Sequence, residues 1–527
     1  MDEMEKKIDV GLEAPSQVPA DSAQGEIILS EGGIVLHPHP VQDDALDPLN
    51  WSSFQKHTLL AIVMALYFMF TYVTTTTVPS FPQLQEQYNL TAEEVNWTVA
   101  IPALGLALGP LFWSSFADII GRRIVFITGT VVALAASIGA AMAPTYGGYM
   151  AARFFQGFGV SPAATVGLAI LNDVFFEHQR GQKMGLWVLA IDLGLLVGPL
   201  IGGFIGLVSH TWIQWLCVIL FGAILVAEIA FLPETLYPRN FMLAQEYPGA
   251  VIETNDGEKG GIVGDVDNMA RKDADMRTKK LAFLNIKPVP ALKHPKPWDS
   301  LLRFLMMFKF LAVTITTMVF CYGWYWFILA VTTMFPVAYA QYSPQIQGLL
   351  FLGLIIGSLV SELFFSGALS DRIVLKAAKA NNGIRSAESR LWLAYPAILL
   401  TSVGLIIWGV SVERNYHWMV GQVGTALFGA GVQMGNTVTT SYIVDCYPLQ
   451  AMSIVTFYSV HLNLSAFISP FFIVPWVDKA GFAWTFAGQG IIVFFFCLPA
   501  FALIHVFGAH IRKGSGLPTW VDPEHDT

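Results

Sequence analysis

Charge is what this 527-residue chain has least of, with only 13% Asp, Glu, Lys and Arg where a soluble domain carries roughly 25%. With 54% hydrophobic residues and a mean hydropathy of +0.55, the composition excludes a soluble globular protein. Cysteine is scarce: Cys217, Cys321, Cys446 and Cys497 each lie in an apolar stretch, which points to small buried side chains and away from a disulfide framework. No basic run interleaved with aromatics occurs and the net charge is -9, so nucleic acid is not an expected partner. His-Glu-x-x-His, the phosphate-binding Gly-Lys loop and Cys/His metal spacing are all missing, so no metal, cofactor, ATP-driven pumping or enzyme chemistry is expected. Residues 1-56 also lack the basic start and apolar core of a signal peptide and read as a cytosolic tail.

What fills the rest is a series of apolar runs, each long enough to cross about 30 Å of hydrocarbon at 1.5 Å per residue. Twelve are expected, near 57-79, 95-117, 122-143, 147-172, 184-207 and 212-232, then 311-335, 345-366, 391-412, 417-443, 451-474 and 482-508. The fold class is therefore all-α integral membrane. Its halves are 57-236 and 307-510, joined by a polar cytosolic segment, 237-306, and followed by a tail, 511-527. Lys and Arg set the orientation, because they stay on the cytosolic side during insertion. With both ends cytosolic, 26 of the 29 fall inside, Arg414 and Lys479 outside, and Arg153 within a span. Asn89-Leu90-Thr91 is then a glycosylation sequon in the first external loop, with Asn89 as acceptor.

Three clusters carry a signature. Asp118, Gly121, Arg122 and Arg123 occupy a very short turn after span 2, and Gly367, Asp371 and Arg372 recur at the equivalent place after span 8, which marks an internal repeat. Span 4 holds Arg153 in Arg-Phe-Phe-Gln-Gly-Phe-Gly. A guanidinium there is costly unless it meets a partner or a wet cavity. Span 5 runs from Gly194 through Gly198, Pro199 and Gly202 to Gly203, where small residues four apart allow close helix contact and the proline allows a kink.

Together these residues resemble the major facilitator superfamily, whose six-span halves rock about a midplane solute site. The turn after span 2 resembles that family's GxLaDrxGRK motif, departing at Ser114, where the family has Gly, and at Ile119, where a basic residue is usual. The Arg153 segment resembles its RxxQGxG, which implies a role in proton coupling. Gly194 to Gly203 matches the span-5 pattern GxxxGPxxGG associated with antiporters, and Pro233-Glu234-Thr235 resembles the PET that follows span 6. The Asp47-Pro48-Leu49-Asn50-Trp51-Ser52 segment and the long central loop are most similar to fungal 12-span drug:proton antiporters. The implied function is proton-coupled export of drugs, toxins or secondary metabolites by a monomer, the plasma membrane being the expected site and the vacuolar membrane obeying the same charge rule. Proton-coupled uptake of a nutrient or polyamine is the alternative, and a non-transporting nutrient receptor a remote one.

Several residues stand out as candidates. Asp192, two positions before the glycine pattern, must be neutral, paired or facing a cavity. It is the expected proton carrier, with packing as the competing role. Glu228 and Glu362 lie a turn from inner span ends, where they could snorkel or pair with a cytosolic Arg. His461 reads as a structural histidine. Tyr322, Trp324, Tyr325 and Trp326 lie deep in span 7, and Tyr322 with Tyr325, three apart, could share a cavity face. Gln433 and Asn436 in span 10, like Thr74 to Thr77 in span 1, could coordinate solute or glue helices together.

Overall fold

The computed structural model describes residues 40-41, 44-237, 239, 295-366, 369, 372-373, 376, 386-447, 450-516 and 518. Gly367 and Asp371 of the second motif copy lie outside the described residues, and Arg372 is helical and exposed. All regular structure among the described residues is helical, as hydrocarbon demands of a chain that must pair every backbone N–H within its own segment. The first set comprises α1 Ser53–Thr75, α2 Phe81–Tyr88, α3 Ala92–Ile120, α4 Arg122–Met142, α5 Tyr146–Val160, α6 Pro162–Val174, α7 Glu177–Ile205 and α8 His210–Phe231. The second comprises α9 Asp299–Met307, α10 Leu311–Phe320, α11 Phe327–Ala338, α12 Pro344–Leu349, α13 Leu352–Ser361, α14 Ala394–Glu413, α15 Trp418–Cys446, α16 Ala451–Ile492 and α17 Leu498–Ser515.

Local sequence explains the ends of these helices. Ser52 with Gln55 and Thr91 with Glu94 form capping boxes that start α1 and α3, each satisfying backbone donors that a first turn leaves unpaired. Among the described residues, ten helical runs are long and apolar enough to cross a membrane. One of them, Ala451–Ser515, spans 65 residues and bends at Gly481, whose φ of 74° and ψ of 171° interrupt the helix. Glu413 fills the bend and accepts the Phe482 N–H at 2.7 Å. The 29-residue α15 is not among the ten; Gln422, Gln433, Asn436 and Asp445 make it more polar.

Without a hydrophobic drive between helices in lipid, close packing holds them together. The α7 glycines supply it: a Cβ on Gly194 would lie 2.1 Å from the Phe68 carbonyl oxygen, and one on Gly202 2.0 Å from that of Thr76. Thr71 and Thr75 of α1 donate to the carbonyls of Ile191 and Leu195 at 2.5 and 2.7 Å along the same seam. The two sets meet where α3 runs along α16 and where α7 meets α12. A Cβ on Gly203 would stand 2.5 Å from the Pro344 carbonyl oxygen at one end. At the other end the hydroxyls of Ser115 and Ser300 lie 2.6 Å apart. Ser300 belongs to α9, a short helix at the end of the stretch expected as a polar loop.

The ends at which α4 and α14 begin repeat with an inverted detail. Arg122 at the start of α4 pairs with Asp173 at the end of α6 at 3.0 Å, and Arg390, just before α14, pairs with Asp445 at the end of α15 at 2.5 Å. After α8 the partner is an acid, Glu234, which accepts the N–H groups of Arg122 and Arg123 at 2.9 and 3.1 Å. In α17 it is a base, Arg512, bound to Glu388 at 2.6 Å. The segment before α1 is strapped on as well: fully buried Asp47 accepts the N–H groups of Val41 and Leu49 and pairs with Arg239 at 3.0 Å. Tyr237 donates to Asp44 at 2.6 Å, and burial together with that carboxylate pushes its hydroxyl pKa up.

Candidate functional site

The two sets of helices touch midway through Asp192 of α7, which is 2% exposed. Its Oδ2 accepts a hydrogen bond from Nδ2 of Asn436 on α15 at 2.9 Å. The Asn436 carbonyl oxygen in turn accepts from the Tyr458 hydroxyl at 2.6 Å. The other carboxyl oxygen, Oδ1, has no hydrogen-bond partner, and no Lys or Arg pairs with Asp192 among the described residues. Beside it lies a small cavity whose walls include Tyr67, Trp187, Ile191, Asn436, Tyr458 and Leu462. Tyr67 stacks on Trp187 with ring centroids 4.2 Å apart. Tyr67, Tyr325 and Tyr458 are all within electrostatic range of the Asp192 carboxylate.

A second acid faces the same seam from the other set. Glu362 is 8% exposed, and its Oε2 accepts from Gln433 Nε2 at 3.0 Å and from Thr437 Oγ1 at 2.8 Å. A Cβ on Gly185 of α7 would meet its Oε1 at 3.3 Å, so this side chain reaches toward the first set, and no Lys or Arg pairs with it among the described residues. It is close enough to Asp192 to interact with it electrostatically. Gln433 and Asn436, candidates for contact with solute, thus hold one carboxyl group each. Such a pair of acids, with an unpartnered oxygen, a small void and tyrosine rings, can take up a proton or a cation, because each uncompensated negative charge in this setting is costly.

Arg153 is fully buried and uses other partners. Its guanidinium donates to the Thr98 carbonyl at 3.1 and 3.2 Å, to the Thr74 carbonyl at 3.2 Å and to Gln156 Oε1 at 2.9 Å. No hydrogen bond or ion pair joins it to Asp192 among the described residues. Around the loop motif, Asp118 is 3% exposed and lines a crevice with Ser300, Arg303 and Ser453. Gly121 has a φ of 108° and a Cβ there would lie 2.3 Å from Glu234 Oε2, so only glycine fits the turn. Pro199 lies inside α7. Asn89 is exposed and ends α2 with a left-handed φ of 54°, a conformation Asn tolerates.

Span 7 departs from a regular helix. Cys321–Tyr325 is a π-helical turn, which adds a residue per turn and removes the shared face expected for positions three apart. The Tyr322 hydroxyl meets His461 Nδ1 at 3.2 Å, within a box of Phe304, Phe308 and Phe457 around that histidine. Tyr325 points instead into the Asp192 neighbourhood. Trp324 donates to Thr401 at 2.9 Å within the second set. Glu228 accepts from Thr130 at 2.9 Å between α8 and α4. The place of Glu362 near a span end suggests snorkelling or pairing with an Arg, and Glu362 does neither among the described residues. The signal that could have raised it was Gln433 and Thr437, four apart on one face of span 10, where a buried acid would find its donors.

A sequence model of the Major Facilitator Superfamily matches residues 63–452. Among curated proteins, the chain is 27% identical over 499 residues to the MFS-type transporter penM of Penicillium rubens, covering 93% of each. It is 27% identical to the MFS-type efflux pump MFS2 of Trichophyton rubrum, over 91% of this chain and 78% of that one, and 25% identical to the protein HOL1 of Saccharomyces cerevisiae, over 92% and 91%. Among solved structures, the xylose transporter XylE from E. coli in a partially occluded inward-open conformation aligns with a TM-score of 0.57 at 14% identity, covering 86% of this chain and 98% of that one. The human organic anion transporter MFSD10 aligns with a TM-score of 0.54 at 16% identity, over 85% and 99%. These structural likenesses concern the fold.

Proposed function

Because the chain belongs to the major facilitator superfamily, we propose that it exports small organic compounds in exchange for protons. It is an integral membrane transporter and not an enzyme. The reading has twelve spans, obtained by counting the two arms of Ala451–Ser515 separately and adding α15, with both termini cytosolic. Residues 57-236 and 307-510 form the two halves, and a monomer works in the plasma membrane. The efflux-pump name among the relatives supports the direction.

One observation carries the mechanism: Asp192 of the first half hydrogen-bonds Asn436 of the second at 2.9 Å beside an aromatic-walled void. Opening toward the proton-rich side hydrates Asp192 and protonates it. Opening toward the cytosol lets the proton leave and frees a negative charge for an amphipathic or cationic solute, which the tyrosine rings favour through area and cation-π attraction. Glu362 is a second carrier or cation ligand on the facing wall. Arg153 fixes the chain where spans 1, 2 and 4 cross, and so sets the geometry in which α7 presents Asp192. Asp118, Gly121, Arg122 and Arg123 steady the inner end, with Gly367, Asp371 and Arg372 in the same role in the second half.

Purified protein in liposomes with an internal pH dye tests this, with cationic drugs, polyamines, sugars and fungal-type secondary metabolites added in turn. Solute-driven proton movement opposite to the solute establishes antiport. Movement in the same direction establishes uptake instead, and binding without flux a receptor.

A further inference from the structure

A second polar crevice lies away from Asp192, within the first set of helices at the end where α2, the α4–α5 turn and the start of α8 come together. Thr77, Ser80, Tyr149, His210, Thr211 and Gln214 supply its polar lining, and Leu84, Gln87, Tyr88, Ala140, Ala141 and Ile213 the remainder. None of these residues is acidic. Its hydroxyls stand in an unusual state: Thr77 and Ser80 are 3% and 1% exposed, and neither Oγ has a hydrogen-bond partner. A buried polar group without a partner forfeits its hydration, so a small hydrogen-bond acceptor is what this pair lacks.

The rest of the wall is polarised toward the same need. Arg153 donates to Gln156 Oε1 at 2.9 Å, Gln156 Nε2 donates to Gln214 Oε1 at 2.8 Å, and Gln214 Nε2 donates to the Tyr149 hydroxyl at 3.4 Å. Every link gives its proton outward from the guanidinium. The relay therefore ends with the second N–H of Gln214 and the O–H of Tyr149 at the crevice wall, and aligned bonds of this kind reinforce one another. Arg153 itself binds carbonyl oxygens and an amide, and no carboxylate pairs with it among the described residues. A buried cation without a counter-charge is costly at membrane depth. The start of α8, with His210 and Thr211 in its first turn and Gln214 just after it, adds the positive end of a 22-residue helix.

From this convergence of unpartnered hydroxyls, an acid-free wall and an uncompensated buried arginine, we propose that the crevice is a binding site for a small monovalent anion, chloride in the first instance. Room for about one or two water-sized species admits a halide and leaves out phosphate or an organic acid. The anion accepts from Thr77, Ser80, Tyr149 and Gln214 and supplies the counter-charge that Arg153 lacks. The site is separate from the solute cavity and stands whether or not the transport direction proposed above is correct.

The test is thermal unfolding of the purified protein, followed by its intrinsic fluorescence, as chloride replaces gluconate at constant ionic strength, with bromide and phosphate as parallel arms. The midpoint rises saturably with chloride and bromide and stays flat with phosphate. Ser80→Ala, a small truncation of an unpaired hydroxyl, raises the half-saturating chloride concentration by about tenfold, Thr77→Val does the same, and Ser80→Thr keeps the response. A midpoint with no saturable halide dependence in the unaltered protein overturns the proposal, as does an unchanged half-saturation in both Ser80→Ala and Thr77→Val.

Discussion

Asp192 and Asn436, 244 positions apart, are joined by a 2.9 Å hydrogen bond that crosses from one set of helices to the other. The bond uses one carboxyl oxygen and leaves the second without a partner. Asn436 is itself held by Tyr458 at 2.6 Å, so the amide is oriented with its N–H toward the acid. Separation of the halves must break this bond, and protonation of Asp192 weakens what the amide donates to. Charge on one residue and contact between the halves are therefore linked at a single point.

Asp192→Asn removes that charge and retains a polar side chain of the same size. Solute-driven proton movement in liposomes falls to the background of empty vesicles, while the yield of folded protein stays unchanged. Normal proton flux in Asp192→Asn removes this residue from the coupling role. Asn436→Leu acts differently, since it leaves a buried carboxyl group without its donor, and the thermal midpoint drops by the equivalent of about 1–3 kcal/mol.

The glycine seam predicts a sharp contrast between two alanine substitutions. At Gly202 the added Cβ would lie 2.0 Å from the backbone oxygen of Thr76, and at Gly222 nothing lies within 4 Å. Backbone cannot yield as a side-chain tip can, so Gly202→Ala destabilises by about 1–3 kcal/mol. Gly222→Ala stays within about 0.5 kcal/mol of the parent. Thermal unfolding in detergent reads both, and equal midpoints for the two variants contradict the packing described for α1 and α7.

Much of this was legible beforehand because membrane insertion writes its demands into composition. The apolar runs, the glycines spaced by four and the acid two residues before them all follow from period and cost, and the structure places Gly194, Gly198 and Gly202 against α1 as that spacing implies. Span 7 was not legible. Whether a helix contains a π-helical turn depends on tertiary packing, and Cys321–Tyr325 carries no local mark of it, so the faces of Tyr322 and Tyr325 were misjudged. Glu362 was legible as a costly acid near a span end but its contacts were not: its partners Gln433 and Thr437 lie 71 and 75 positions away, and no spacing rule ties them to it. Arg153 was visible as costly, but its partners are backbone carbonyls, which a side-chain pattern never shows.

Asn89 offers a test of orientation. It is exposed in a turn between α2 and α3, at the same end as the crevice formed by α2 and the start of α8. If that end faces away from the cytosol, Asn89 is glycosylated, and both glycosidase treatment and Asn89→Gln increase mobility on a denaturing gel. Thr91, the third residue of the sequon, also caps α3 and bonds to Glu94 at 2.9 Å. Thr91→Ser keeps both the cap and the sequon, whereas Thr91→Ala loses the glycan and costs about 1 kcal/mol of stability. A parent protein with no mobility shift in a glycosylating host places the sequon on the other side or out of reach.

At the opposite end, Ser115 of α3 and Ser300 of α9 bring their hydroxyl oxygens within 2.6 Å. Hydroxyls this close place the two side chains within reach of each other, which makes the pair a candidate for a disulfide. The four native cysteines are buried, as Ser115 and Ser300 are, so the close approach of the pair, and not exposure, is what favours their joining. Ser115→Cys with Ser300→Cys therefore cross-links on mild oxidation and fastens α3 to the segment that leads into the second set. If the halves rock apart at this end during each cycle, transport stops in the oxidised double variant and returns with reductant, while either single variant is indifferent to both reagents. Full transport by a quantitatively cross-linked protein would show that α9 travels with the first set, and the moving seam would then have to lie between α9 and α10.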